Sequence, residues 1–280
     1  MTQPTAKCLK LAGLSAFGAE LLLVCSAVTI PGWPAIAVAA DAQDEFRWSG
    51  TVPAGQSIEI KGINGGIRAE ETTGTQVEVV AEKKGHRSDP KQVKIEVVKH
   101  DQGVTVCAVY PSNDSSKPNE CKPGEGGRMN TRDNDVQVNF TIRVPAGVRF
   151  IGRTVNGGIR ASGLKADAEG YSVNGGLDLS TLGKVQAKTV NGGINASMRE
   201  PNWEGPLQFE TVNGGIKVEL PADVNAEFSA ETVNGHISSD FPVTVQGKIN
   251  PRRLSGKIGN GGRQLTMKTV NGSIELKRVP

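Results

Sequence analysis

Residues 207–220 read LQFETVNGGIKVEL, and the phrase at their centre, Val-Asn-Gly-Gly-Ile, recurs through the chain. It stands unchanged at 155–159, 190–194 and 212–216, and close variants stand at 63–67, 173–177, 233–237 and 270–274. The asparagines of these phrases are Asn64, Asn156, Asn174, Asn191, Asn213, Asn234 and Asn271. After Asn156 they follow at intervals of 18, 17, 22, 21 and 37 residues. Self-similarity at roughly 20 residues is typical of a stacked array, in which each unit buries its apolar face against its neighbours.

The same stretch predicts the direction of its side chains, because alternate residues of a strand face opposite sides. The residues predicted to face inward are Leu207, Phe209, Thr211, Ile216, Val218 and Leu220. Val212 is out of this phase. Since an apolar residue recurs at that position in every copy, we expect a corner or bulge at Thr-Val-Asn that buries the valine as well.

Two geometries fit the phrase, since Asn-Gly is a strong turn signal whose residues tolerate positive φ. In a β-solenoid each phrase forms a corner and equivalent corners stack about 4.8 Å apart. In an antiparallel meander each phrase closes a hairpin. Near-identical residues at matching positions suit stacked Thr and Asn ladders, so the sequence favours an all-β, right-handed or single-stranded β-solenoid over the meander.

The chain divides by pattern into a signal peptide at residues 1–40, an N-terminal β region at 41–143 and a solenoid repeat region at 144–280. In the N-terminal region, residues 77–81, 93–98 and 104–109 alternate as antiparallel strands do, the last two joined by a turn at 100–103. Residues 111–135 are rich in Pro, Gly, Ser, Asn and charge, which predicts a disordered surface loop.

The first forty residues predict export, because a basic start, an apolar stretch at 11–30 and small residues at 37–40 form a signal peptide. An uncleaved membrane anchor is the alternative. Cys8 and Cys25 would leave with the signal, and the remaining pair, Cys107 and Cys121, brackets the polar loop in a compartment where disulfides persist. We therefore predict a Cys107–Cys121 disulfide, and we expect it to be the loop's only attachment.

Few features of the sequence point to chemistry. The 32 basic and 29 acidic residues nearly balance, and the scarce aromatics do not alternate with Arg and Lys, so no nucleic-acid partner is expected. The histidines lack metal-site spacing and no nucleophile motif is present, so neither a metal nor a cofactor is expected. The asparagine series could bind a cation or a glycan, but a structural turn explains it better.

Carboxylates are the remaining catalytic candidates, since some parallel β-helices cleave polysaccharides with acidic residues gathered on one face. The acidic candidates are Asp167, Asp178, Glu210, Glu219, Glu231 and Glu275. Most fall at outward strand positions beside Lys or Arg, as on an ordinary solvated face. The sequence therefore predicts a protein that is not an enzyme.

The repeated Thr-Val-Asn-Gly-Gly-Ile in an exported all-β chain resembles a bacterial family of β-strand-repeat proteins provisionally classed as adhesins of unknown function, and the related head-GIN and toastrack domains. The resemblance implies a periplasmic or surface-exposed envelope β-solenoid with no catalytic residues to transfer. We expect a binding or scaffolding module whose partner is an envelope component, a glycan or a protein, with membrane contact only if the N-terminal segment is uncleaved. The alternatives are an envelope-stress sensor domain and, less favoured, a carbohydrate-active enzyme.

Overall fold

The structure is a computed structural model that describes residues 42–200, 203–245 and 250–279, so the predicted signal peptide lies outside the described residues. Within them the chain forms 21 β-strands and one short 3-10 helix, Pro90–Gln92. The strands are β1 (Ala42–Gly50), β2 (Ser57–Lys61), β3 (Ile67–Thr72), β4 (Val77–Gly85), β5 (Lys94–His100), β6 (Gly103–Val109), β7 (Gln137–Pro145), β8 (Arg149–Arg153), β9 (Ile159–Leu164), β10 (Ala168–Tyr171), β11 (Leu177–Thr181), β12 (Val185–Lys188), β13 (Ile194–Met198), β14 (Leu207–Glu210), β15 (Ile216–Leu220), β16 (Ala226–Glu231), β17 (Ile237–Ser239), β18 (Val243–Thr244), β19 (Arg253–Ile258), β20 (Arg263–Lys268) and β21 (Ile274–Arg278). The all-β prediction is confirmed. None of the described residues forms a helix long and apolar enough to cross a membrane.

The strands form two large sheets. Sheet A has ten strands in the order β1-β4-β7-β3-β9-β11-β13-β15-β21-β17, and sheet B has eleven in the order β18-β19-β16-β20-β14-β12-β10-β8-β2-β6-β5. Each coil of the repeat contributes one strand to sheet B, turns at the repeated phrase and contributes the next strand to sheet A, as β12 and β13 do.

Coil-to-coil pairing is parallel and in register. In sheet A, Leu177 lies opposite both Ile159 and Ile194, and Ile216 lies opposite Ile274. The strands on either side of a phrase belong to different sheets and do not pair with each other. This arrangement confirms the solenoid and excludes the meander of hairpins for the repeat phrases.

The order of the coils in space differs from their order in the chain. The coil β20–β21 lies between the coil β14–β15 and the coil β16–β17, and it pairs in parallel with both. β19 then covers the far edge of β16 in antiparallel pairing. The segment at 263–278 therefore joins two parts of the array that precede it in the chain.

The N-terminal strands extend both sheets. β5 and β6 form the expected antiparallel hairpin, with His100 opposite Gly103, while β1, β4 and β7 pair antiparallel in sheet A. β2 and β3 pair in parallel with β8 and β9 of the repeat region. The two sheets thus run continuously across residue 143, and one core of buried apolar side chains serves both regions.

Burial follows the predicted strand phase. Leu207, Phe209, Ile216, Val218 and Leu220 are buried between the sheets, and Thr211 is buried with them.

The expectation for the valine was wrong, because Val212 is 40% exposed and the five other valines at this position are exposed as well. Ile63, at the same position of the first phrase, is partly buried against the core. Strand alternation continues through the Thr-Val step, so the inward threonine leaves the valine facing solvent.

Candidate functional site: the repeat corner

The asparagines of the seven phrases form one continuous ladder along the solenoid corner. In the spatial order given below, each asparagine after the first donates from its Nδ2 to the Oδ1 of the preceding asparagine, at 2.7 to 2.9 Å. In spatial order the ladder runs Asn64, Asn156, Asn174, Asn191, Asn213, Asn271 and Asn234. None of these residues has positive φ, which among the described non-glycine residues occurs only at Asp133. The asparagine therefore serves coil-to-coil bonding rather than a left-handed turn.

A row of hydroxyls lies beneath the ladder. Each hydroxyl donates to the carbonyl of the first glycine in the neighbouring phrase, at 2.8 to 3.2 Å. The donors are Thr154, Ser172, Thr189, Thr211, Thr232 and Thr269, and all are buried. These bonds satisfy polar groups that the corner would otherwise bury unpaired.

The first glycine of each phrase has no room for a side chain. A Cβ built on Gly192 would lie 2.2 Å from the carbonyl oxygen of Gly175, and one on Gly175 would lie 1.9 Å from that of Gly157. Gly157, Gly175 and Gly192 do not adopt the positive φ that the turn signal suggested, although Gly65 and Gly272 have φ of 118° and 155°. Close stacking of the coils, rather than positive φ, thus requires glycine here.

The second glycine has more space. A Cβ on Gly193 would lie 3.5 Å from the nearest carbonyl oxygen, an ordinary contact. This difference explains why the sequence keeps the first glycine in all seven phrases but places His236 and Ser273 at the second position of the last two coils. Those two side chains bond each other, with Ser273 Oγ 2.9 Å from His236 Nδ1.

Valines form an exposed row on the sheet B side of the ladder. In spatial order this valine row comprises Val155, Val173, Val190, Val212, Val270 and Val233, each 39 to 49% exposed. A shallow groove of about 680 Å³ runs beside the row, bordered by the charged side chains of Lys188, Glu210, Lys268 and Glu231. A contiguous apolar row with a charged border is typical of an interaction surface.

A second groove, of about 640 Å³, lies on the sheet A side of the ladder. Its floor consists of the second glycines of successive phrases, from Gly66 to Gly193. Arg68, Arg160, Asp178 and Asn195 line its outer side, and Arg160 Nε lies 3.3 Å from an Asp178 carboxylate oxygen. The groove therefore offers an extended polar channel that crosses several coils, hereafter the glycine groove.

The polar loop takes the place of a corner phrase. It joins β6 of sheet B to β7 of sheet A, where the other coils have Asn-Gly-Gly. Tyr110 and Val136 close its base, with the Tyr110 hydroxyl donating to the Val136 carbonyl at 2.8 Å, and burial raises the pKa of Tyr110 to about 12. The predicted Cys107–Cys121 disulfide is present, with Cα atoms 5.7 Å apart.

The disulfide is not the loop's only attachment, contrary to the prediction. Lys61 Nζ donates to the carbonyls of Lys122, Gly124 and Gly126 at 2.9, 2.9 and 2.7 Å, and the desolvation caused by burial lowers the pKa of this lysine. The Gly124 amide donates to the buried carboxylate of Glu59 at 2.9 Å. Sequence reasoning missed this docking because Lys61 and Glu59 read as ordinary outward charges of β2.

The carboxylates considered for catalysis do not converge. Asp178, Glu219 and Glu275 lie on strands of sheet A, whereas Glu210 and Glu231 lie on sheet B and Asp167 precedes β10. Lys188 and Lys217 pair with Glu210 and Glu219 at 3.3 and 2.7 Å.

The histidines occupy different elements, and His100 Nε2 lies 3.1 Å from Thr105 Oγ1. Across residues 42–200, 203–245 and 250–279, no three His, Cys, Asp or Glu side chains group as a metal site would require.

The chain matches one protein family and has distant similarity to solved structures. Residues 56–277 match the family model described as Toastrack DUF4097. No curated protein matches the chain. A protein of Clostridium sporogenes, provisionally described as a cell adhesion protein, is 13% identical with a TM-score of 0.42, over 84% of this chain and 100% of that one. A provisionally described adhesin of Bacteroides fragilis is 14% identical with a TM-score of 0.38, over 84% and 97%. The family match spans every corner phrase from Asn64 to Asn271.

Proposed function

This chain belongs to the Toastrack DUF4097 family, and from that premise we propose that it is an exported, non-enzymatic binding or scaffolding module of the bacterial envelope, adhesin-like in its mode of action. The observation that carries the proposal is the repeat corner, where like side chains stand in straight rows across successive coils. Such a surface presents the same contact many times over rather than one converging site.

The glycine groove is the proposed binding surface. Its glycine floor lets a ligand approach the backbone closely. Its sides supply the amides of Asn139 and Asn195 and the charges of Arg68, Arg160 and Asp178. Because the second glycine recurs at each coil, about 4.8 Å apart, a ligand with its own linear repeat would meet the same glycine floor along its length. An extended glycan or polar segment of an envelope component has that form.

The absence of convergent chemistry in the described residues supports a binding role over catalysis. Polysaccharide cleavage by paired carboxylates needs two of them on either side of one bond. Several acidic side chains on the outer faces instead pair with Lys or Arg, within one strand as Glu219 does with Lys217 or between strands as Asp178 does with Arg160. Among the described residues, the carboxylates that border the valine-row groove also have basic partners, Lys188 for Glu210 and Arg253 for Glu231.

The disulfide supports the proposed location. A Cys107–Cys121 bond persists in an oxidising compartment such as the periplasm or the cell surface. It ties the polar loop to β6, and the sequence before residue 41 has the pattern of a signal peptide. Fractionation of cells with mass spectrometry of the mature N-terminus tests this, and a chain that retains its N-terminus in the cytoplasm would contradict it.

Filling the glycine groove tests the binding role. Gly176→Gln and Gly193→Gln place a side chain in the groove where a Cβ would make only ordinary contacts, at 3.5 Å. Binding to purified envelope polysaccharides and envelope proteins should weaken about tenfold or more. Gly74→Gln, in the turn after β3, is the matched control because its Cβ would also lie at an ordinary distance, 3.4 Å. Equal binding by all four proteins would refute the groove as the binding surface.

A further inference from the structure

The valine row is bordered on its sheet B side by one outward residue from each coil, two positions before the valine. In spatial order these residues are Arg153, Tyr171, Lys188, Glu210, Lys268 and Glu231. We call them the flanking row. It begins with basic and aromatic residues and ends with alternating charge, so the two ends of the row differ.

We propose that the valine row and the flanking row form a homodimer interface, in which a second copy of this chain packs antiparallel against the first. A two-fold axis crossing the solenoid axis between the third and fourth coils places Val190 opposite Val212. The same rotation reverses the order of the coils in the second copy. It also places the flanking row of one copy against the flanking row of the other. Such an interface is isologous, because each surface meets its own copy.

Charge complementarity selects this register. With the axis between the third and fourth coils, Arg153 faces Glu231 of the second copy, Lys188 faces Glu210, and Tyr171 faces Lys268. The first two contacts are opposite-charge pairs, and the third sets an ammonium against an aromatic ring. Every flanking position therefore has a favourable partner.

A shift of one coil in either direction destroys the match. One shift sets Arg153 against Lys268 and Lys188 against itself in the second copy. The other sets Lys188 against Lys268 and Glu210 against itself. Like charges brought together at an interface disfavour the wrong arrangement, so the flanking row specifies a single antiparallel register.

The side chains already have partners within their own chain, which position them for this role. Lys188 Nζ lies 3.3 Å from a Glu210 carboxylate oxygen, and the Arg153 guanidinium lies 4.1 Å above the Tyr171 ring. In the dimer, the Lys188–Glu210 pairs of the two copies would form a four-charge cluster at the two-fold axis. Charges held in place before association lose less side-chain freedom on binding.

The size of the proposed interface determines how strongly the two copies should associate. Six coils at a spacing of about 4.8 Å give a strip about 24 Å long, only one row of half-exposed valines wide. Interfaces this narrow belong to the small class, below about 1,200 Å² in total, and dissociate on dilution. The dimer should thus be concentration-dependent rather than permanent.

Sedimentation velocity of the mature exported protein over a wide concentration range tests the proposal. The wild-type protein should shift from monomer to dimer, and Val190→Asp should weaken dimerisation about tenfold or more by placing carboxylates in the apolar centre. Val190 is exposed, so the variant should fold, which an unchanged melting temperature would verify. A wild-type protein that stays monomeric, including one whose row binds a glycan or peptide instead, would overturn the proposal, as would a dimer that survives Val190→Asp.

Charge exchange tests the register. Lys188→Glu alone and Glu210→Lys alone should each weaken the dimer, because either sets like charges across the axis, and the double exchange should restore it. Glu219→Lys is the matched control, since it breaks the Lys217–Glu219 ion pair on sheet A, outside both the proposed interface and the glycine groove. A dimer indifferent to the single exchanges, or as sensitive to Glu219→Lys, would disprove the antiparallel register. Groove-filling variants test ligand binding separately, so the two proposals can fail independently.

Discussion

Replacing Gly192 by alanine should destabilise the solenoid strongly, although the change adds only one methyl group. The new Cβ would lie 2.2 Å from the Gly175 carbonyl oxygen, 2.5 Å from its carbon and 2.8 Å from the Gly176 nitrogen. All three contacts are with backbone, which cannot rotate away. Relief therefore requires neighbouring coils to separate by about 1 Å at the corner.

The cost follows from the bonds that cross this junction. Separation stretches the bonds from the Gly175 amide to the Asn191 carbonyl (2.9 Å), from the Asn191 amide to the Val173 carbonyl (2.8 Å) and from the Thr189 hydroxyl to the Gly175 carbonyl (2.9 Å). At about 1 kcal/mol for each net hydrogen bond, loss of two or three of them lowers the free energy of unfolding by about 2–4 kcal/mol.

Urea denaturation of wild type, Gly192→Ala and Gly193→Ala measures this directly. Gly193→Ala is the matched control, because its Cβ would lie 3.5 Å from the nearest oxygen and would cause no clash in the folded state. The alanine also reduces the conformational freedom of the unfolded chain. We expect Gly193→Ala to be neutral or stabilising by up to about 1 kcal/mol. Similar free energies of unfolding for the two variants would refute the stacking explanation of the first glycine.

Three further predictions follow from buried or bonded groups. Phe209→Ala, at a fully buried site, should lower the free energy of unfolding by about 3–5 kcal/mol in urea denaturation, and a loss below about 0.5 kcal/mol would contradict the inward phase of β14. Cys121→Ser should cost about 3 kcal/mol, because the disulfide closes a loop with a sequence separation of 14 residues. Reduction should destabilise wild type by the same amount and leave the variant unchanged, and a variant that also responds to reduction would contradict this. Amide bonds from Ser88 and Arg87 lower the pKa of Asp135 in the folded state, so its stabilisation should be complete above the ordinary pKa of 3.8 and decline as pH falls below it. The difference in melting temperature between wild type and Asp135→Asn should accordingly shrink in acid, and a constant difference would exclude the assignment.

Local sequence pattern predicted the features that depend on neighbours in the chain. The alternation around Phe209 predicted the strand phase, and the repeated phrase predicted stacked corners. The two cysteines outside the predicted signal peptide predicted their disulfide. The first two signals lie within a few neighbouring residues. The third leaves one possible pairing, because only two cysteines follow the predicted signal peptide.

The features that the sequence did not predict depend on contacts between distant coils. Near-identical phrases carry no information about their spatial order, so nothing local places β20–β21 before β16–β17. The valine was expected inside because apolar recurrence suggests burial, yet strand alternation alone sets it outside. Lys61 holds a loop that is 61 to 65 residues away, a partner that its own strand does not reveal.

The placement of β20–β21 between two earlier coils has a consequence for how the protein is made. During synthesis, residues 207–239 emerge before residues 263–278, so one edge of β14 and one edge of β15 stay unpaired until β20 and β21 have been made. In the meantime β14–β15 could pair directly with β16–β17, because the phrases of Asn213 and Asn234 carry the same asparagine and threonine bonding groups. That pairing would compete with the native order of the coils. The 29 residues from Asp240 to Lys268 separate β17 from the corner of the inserted coil, so the array can reach its native coil order only after the chain has been made as far as residue 278.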